Sequence, residues 1–80
     1  MNRDRIEVLP ARRRQYARDL KARRGQRFRV DPFTVYVLLG ADEQGLMAEV
    51  AESDTYGLGE RRRLSWDRLE QTGATIDFRP

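Results

Sequence analysis

Residues 33–40, FTVYVLLG, are aromatic, β-branched or aliphatic almost without a break. A run of this length that is apolar on both faces is too short and too branched for a buried helix. It reads as a strand covered on both sides, and so as the centre of a sheet. The alternation of Val35, Val37 and Leu39 predicts that these three line the core.

The flanking segments supply partners. Arg27, Phe28, Arg29 and Val30 alternate charged and apolar, which predicts a strand with Phe28 and Val30 on one face. After the turn sequence ADEQG (41–45), LMAEVAE (46–52) returns as an antiparallel partner with Leu46, Ala48 and Val50 facing in. SDTYGLG (53–59) reads as a loop, and ERRRLS (60–65) as a fourth strand or an extended arm. Ser65 suits the cap of a short helix, WDRLEQT, with Asp67 in its first turn and Gly73 as its stop. Trp66 and Leu69 share the buried face of that helix. ATIDF (74–78) closes the chain as a last strand with Ile76 and Phe78 inward, and residues 1–8 form a short edge strand or stay loose.

Upstream of the sheet, PARRRQYARDLKARRG (10–25) holds seven basic residues and one acid, Asp19. Pro10 fits the first turn of a helix and Gly25 the position past its end, and good helix formers lie between. A helix over about 10–24 is predicted. The expected fold is α+β in two layers and one small domain over 1–80. Its N-terminal basic helix packs on an antiparallel sheet of three to five strands, with a short helix before the last strand.

With 80 residues, no cysteine and no histidine, the chain has no disulfide, no thiolate chemistry and neither of the commonest zinc ligands. No metal and no cofactor are expected. The glycine-bearing loops match neither a phosphate-cradling loop with its lysine nor a dinucleotide fingerprint, and ADEQG lacks calcium-loop spacing. The hairpin and loop carboxylates form no identifiable acid–base pair. The expectation is a protein that is not an enzyme. No apolar run reaches the length of a membrane span, and the basic N-terminus is not followed by a signal-peptide core, which predicts a cytoplasmic protein.

Charge is divided unevenly. Residues 1–29 carry eleven Arg or Lys against three acids, and residues 30–80 carry five Arg against ten acids; +8 and −5 make up the net +3. Arginine outnumbers lysine fifteen to one. A GC-rich genome produces that ratio, and so does selection for a planar fork that grips phosphate or carboxylate.

At 100° per residue, Tyr16 and Leu20, with Leu9 if the helix extends that far, form an apolar seam. Arg14, Arg18 and Lys21 form an i, i+4, i+7 row on the opposite face, and Arg13 and Arg24 widen it. Such a face is either solvated and nothing more, neutralised by the protein's own acids, or used for a partner. Arg14 and Arg18 are a like pair at i, i+4, and Arg12, Arg13 and Arg14 occupy the first turn, where the helix dipole disfavours cations. Both features are easier to understand if an anion is present in the working state. Arg61, Arg62 and Arg63 form a second basic cluster; as a strand, Arg61 and Arg63 share one face and Arg62 takes the other. Tyr36 and Tyr56 are either base-stacking platforms or residues at the core's edge.

In size, lack of cysteine and poverty of motifs the chain resembles short single domains from phages and mobile elements, anti-CRISPR proteins and small regulators among them. That resemblance implies docking on nucleic-acid machinery. The expected function is a binding or inhibitor protein, monomeric or homodimeric, that engages nucleic acid or a nucleoprotein complex. Two alternatives stand beside it: a module for an acidic protein surface, and a small ribonuclease toxin that works without histidine.

Overall fold

A computed structural model describes residues 5–9 and 12–79, apart from the side chains of Arg13, Arg14 and Arg79. Along the chain run β1 (Arg5–Glu7), α1 (Arg13–Leu20), a 3₁₀ turn (Lys21–Arg23), β2 (Arg27–Arg29), β3 (Thr34–Ala41), β4 (Gly45–Ser53), β5 (Arg61–Ser65), α2 (Trp66–Gln71) and β6 (Thr75–Arg79). The strands form one sheet in the order β1-β6-β2-β3-β4-β5, with every pairing antiparallel.

This corrects the expected architecture. The molecule is mainly a six-stranded antiparallel sheet carrying two short helices, not a long helix on a smaller sheet. β5 is a strand rather than an arm, and residues 5–7 pair with the far end of the chain through Ile6 opposite Ile76. Residues 5–7 carry one apolar residue between charges, and the partner of β1 lies some seventy positions away, so local pattern leaves an edge strand and a loose end as equal choices.

The basic helix is also shorter than predicted. Among the described residues of this segment only Arg13–Leu20 is α-helical, and Pro10, the expected start, lies outside the described residues. Arg12 stands at the N-cap without a side-chain hydrogen bond, and no acid lies in the first turn, so neither a capping side chain nor a favourable first-turn charge supports this end. At the other end the chain is drawn onto the sheet. Gly25 N–H donates to the Leu38 carbonyl at 2.8 Å and Leu38 N–H to the Gln26 carbonyl at 3.0 Å. The last turn tightens to 3₁₀ geometry to reach them.

Tertiary contacts hold α1 in place. Tyr16 and Leu20 are buried, as the seam predicts, while Leu9 lies outside the helix and is exposed. The Tyr16 hydroxyl donates to the Glu7 carbonyl at 2.5 Å and accepts from Leu9 N–H at 3.1 Å, tying the helix to the chain that leaves β1.

Both helices share one core on one side of the sheet. Tyr16 meets Trp66 with ring centroids 5.7 Å apart. Beneath them lie Phe28, Tyr36, Leu38, Leu46, Ala48, Val50, Leu69, Ile76 and Phe78. The inward sets of β2, β4, α2 and β6 agree with their sequence patterns.

β3 does not agree. Tyr36 and Leu38 face the core, whereas Val37 is half-buried, Leu39 is 36% exposed, and Val35 is buried outside that cluster. Alternation cannot choose a face when both sets are apolar. The choice is made by an aromatic row across three strands, Phe78–Phe28–Tyr36, with centroids 5.6 and 5.4 Å apart. Two irregularities shift the pairing as well: Leu39 is an extra residue in β3, and Ala51 is one in β4.

α2 begins and ends as its sequence predicts. Ser65 Oγ accepts from Arg68 N–H at 3.2 Å, and Gly73 leaves the helix at a φ of 65°. The short α2 carries the chain from β5, at one edge of the sheet, back to β6 near the other. α2 crosses the sheet on the core side, where Trp66 and Leu69 are buried. No helix among the described residues is long and apolar enough to cross a membrane.

Candidate functional site

The arginines singled out by sequence fall into two separate groups. Around α1, Arg12, Arg18, Lys21 and Arg24 are all exposed. No ion pair to any of these four occurs among the described residues. The backbones of Arg13 and Arg14 belong to the first turn of α1, but their side chains lie outside what the structure describes. The neighbouring Arg23 is half-buried. Its guanidinium lies 4.7 Å from the Phe78 ring centroid and donates to Gln26 Oε1 at 3.4 Å, so it closes the core rather than joining the exposed row.

β5 presents a different picture. Leu46, Ala48 and Val50 point into the core, so their neighbours on β4 and the cross-strand partners of those neighbours face the open side. Arg61 pairs with Glu49 and Arg63 with Met47, which places both on that open face, opposite the helices. Arg63 Nη1 donates to the Asp42 carboxylate at 3.0 and 3.2 Å. Arg62 pairs with Ala48 and turns to the helix side. Its guanidinium sits 3.8 Å from the Tyr56 ring centroid, with Glu60 at 3.7 Å. Arg61 and Arg63 therefore lie on the face away from the helix row, and Arg62 and Arg63 have an acid or a ring of the protein's own beside them.

Asp42 is a structural residue. Its carboxylate accepts from Gln44 N–H at 2.9 Å and Gly45 N–H at 3.0 Å, and its carbonyl accepts from Trp66 Nε1 at 2.9 Å. Those backbone hydrogen bonds, the one from Gln44 foremost, together with the Arg63 guanidinium hold its carboxyl below the usual carboxylate range. Gly45 is required for a separate reason: a Cβ there would collide with the Leu64 carbonyl oxygen where β4 meets β5.

Neither candidate stacking tyrosine offers a free ring. Tyr36 is buried and stacked on Phe28, and Tyr56 lies under Arg62. Burial, then the Asp31 carboxylate, push the Tyr36 phenol above its ordinary value.

One feature on the helix side has no counterpart in the sequence pattern. α2, β5 and the β2–β3 connection enclose a cleft of about 560 Å³. Among its lining residues are Tyr36, Tyr56, Arg62 and Arg68. A second, more open cleft shares its wall at Asp31 and Thr72 and is lined by Arg29. Nε of Arg29 and of Arg62 are buried without a hydrogen-bond partner. Alternation alone marks Arg62 as the inward member of its cluster; the cleft itself is formed by α2, β5 and the β2–β3 connection, which are far apart in sequence. No group of three or more acids able to hold a metal ion occurs among the described residues. Comparison with family models, curated proteins and solved structures yields no match for this chain.

Proposed function

We propose that the protein is a non-enzymatic binding module that docks on nucleic acid or a nucleoprotein complex through α1 and the turn after it. This is the mode of a small regulator or of an anti-defence inhibitor of the anti-CRISPR kind. The observation that carries the reading is the contrast between its two basic clusters. The fold sets Asp42 and Glu60 beside Arg63 and Arg62, yet among the described residues it sets no acid against Arg12, Arg18, Lys21 or Arg24.

Arg12 stands at the N-cap of α1, Arg18 in its last turn, and Lys21 and Arg24 in and after the 3₁₀ turn, on a helix with no N-cap hydrogen bond and no acid in its first turn. The helix dipole opposes the cation at Arg12 and favours Arg18 and Lys21 at the other end, and no ion pair among the described residues offsets the crowding of like charge. Phosphates spaced along a nucleic-acid backbone do offset it, and arginine binds them with a planar fork.

The test is a salt series. Binding to a mixed-sequence oligonucleotide should weaken steeply and linearly in log–log form as salt rises. Failure to bind the oligonucleotide, with binding instead to an acidic polypeptide, would replace this reading with recognition of an acidic protein surface.

A further inference from the structure

The cleft beneath α2 has the shape and chemistry of a ligand site distinct from the basic helix. At about 560 Å³ it falls within the usual size of small-molecule pockets. Its walls mix aliphatic residues, Val30, Leu64 and Leu69, with the polar groups of Arg62, Arg68 and Tyr36.

Arg62 is the centre of the site. One face of its guanidinium rests on Tyr56 at 3.8 Å. Tyr56 is itself fixed, because Ser53 Oγ accepts from the N–H groups of Thr55 and Tyr56, both at 3.0 Å. Glu60, at 3.7 Å, is beyond hydrogen-bond reach of Nη1. Nε is buried and has no partner. A cation held on a ring face, lining a pocket and with only a loose ion pair at Nη1, is suited to an entering oxyanion.

Arg68 lines the same cleft, so a second arginine is at hand for a ligand that offers the three oxygens of a phosphate. The aliphatic walls, and the guanidinium face not covered by Tyr56, suit a flat apolar body. At the rim Asp31, whose Oδ1 accepts from Phe33 and Thr34 N–H at 2.8 and 3.1 Å, adds an acceptor for a ring amino group.

We infer that this cleft binds a phosphate monoester carrying a planar body, of the class of a nucleoside monophosphate, with Arg62 and Arg68 on the phosphate. The site does not depend on the helix reading and stands if that reading falls.

The test is a titration of the full chain with AMP, followed by amide chemical shifts and calorimetry, with adenosine and inorganic phosphate as controls. The expected result is saturable one-to-one binding of AMP that neither control reproduces at the same concentration. Shifts should centre on residues 56, 62 and 68. Arg62→Met, which keeps the aliphatic stem, and Arg68→Ala, at an exposed position, should each weaken binding at least tenfold. Arg18→Ala with Arg24→Ala should leave it unchanged. If Arg62→Met does not fold, Arg68→Ala decides alone. Absence of saturable AMP binding, equal binding by inorganic phosphate, AMP binding unchanged in the folded cleft variants, or its loss in the helix variant would each overturn the assignment. AMP that binds only when presented within an oligonucleotide would also overturn it, since the cleft would then be part of the strand-binding surface.

Discussion

Removing the Asp42 carboxylate should loosen the hairpin that carries the start of α2, because one side chain holds two backbone N–H groups and Arg63. Asp42→Ala is expected to lower the melting temperature while leaving the exposed α1 row untouched. The sign with pH follows from the lowered carboxyl: its contribution is fully present above the unfolded value of 3.8 and is lost as pH falls through the folded value. The gap in melting temperature between wild type and variant should therefore narrow when both are measured below 3.8, and a gap independent of pH would contradict the structural role of Asp42. β3 provides a second comparison. Leu38→Ala empties a fully buried site and should cost about 2–5 kcal/mol in urea unfolding. Leu39→Ala, on the open face, should cost no more than about 0.5 kcal/mol. Equal costs would mean that Leu38 does not face the core as the β3 register requires. The sequence cannot rank these neighbours, because Val35, Val37 and Leu39 are as apolar as Tyr36 and Leu38. The aromatic row and the extra residue at 39 decide the matter, and both depend on pairing with other strands.

At the scale of elements, legibility tracks local chemistry. α2 is legible in detail because Ser65, Asp67 and Gly73 mark its ends with groups that act on the adjacent backbone. β4 is legible because its polar and apolar residues alternate. α1 is shorter than its composition suggests, since helix formers continue to residue 24 while the backbone beyond the 3₁₀ turn is claimed by β3. β1 leaves no clear signal because its pairing is to β6. The stability of α1 comes from Tyr16 and Leu20, so Arg18→Ala with Arg24→Ala should melt at the wild-type temperature or slightly above it. A clear fall in melting temperature would show that these arginines serve the fold. Tyr16→Phe, by contrast, removes the hydroxyl that bridges Glu7 and Leu9. It should lower stability in urea unfolding by about 1–3 kcal/mol through the orphaned backbone groups.

For the whole molecule, the uneven charge of the two halves is plain in the sequence, but its spatial division is not. The sheet separates the clusters: Arg61 and Arg63 take the face opposite the helices, while Arg62 is set against Tyr56 within the cleft. Alternation within β5 separates Arg62 from its two neighbours, but which face meets the helices and the cleft is set by pairing with β4, which leaves no local trace. If the exposed α1 row, and not β5, meets a polyanion, the two clusters must differ in their effect on the salt dependence of oligonucleotide affinity. The decisive comparison uses three proteins: wild type, the triple variant Arg18→Ala, Lys21→Ala, Arg24→Ala, and the single variant Arg61→Ala. Removing one phosphate-binding cation lowers the log–log slope by about 0.7–0.9. The triple variant should therefore show a slope smaller by about 2–3 units together with weaker affinity, while Arg61→Ala tracks wild type. A triple variant that keeps the wild-type slope, or an Arg61→Ala protein that weakens as much as the triple, would contradict the placement of the polyanion on α1.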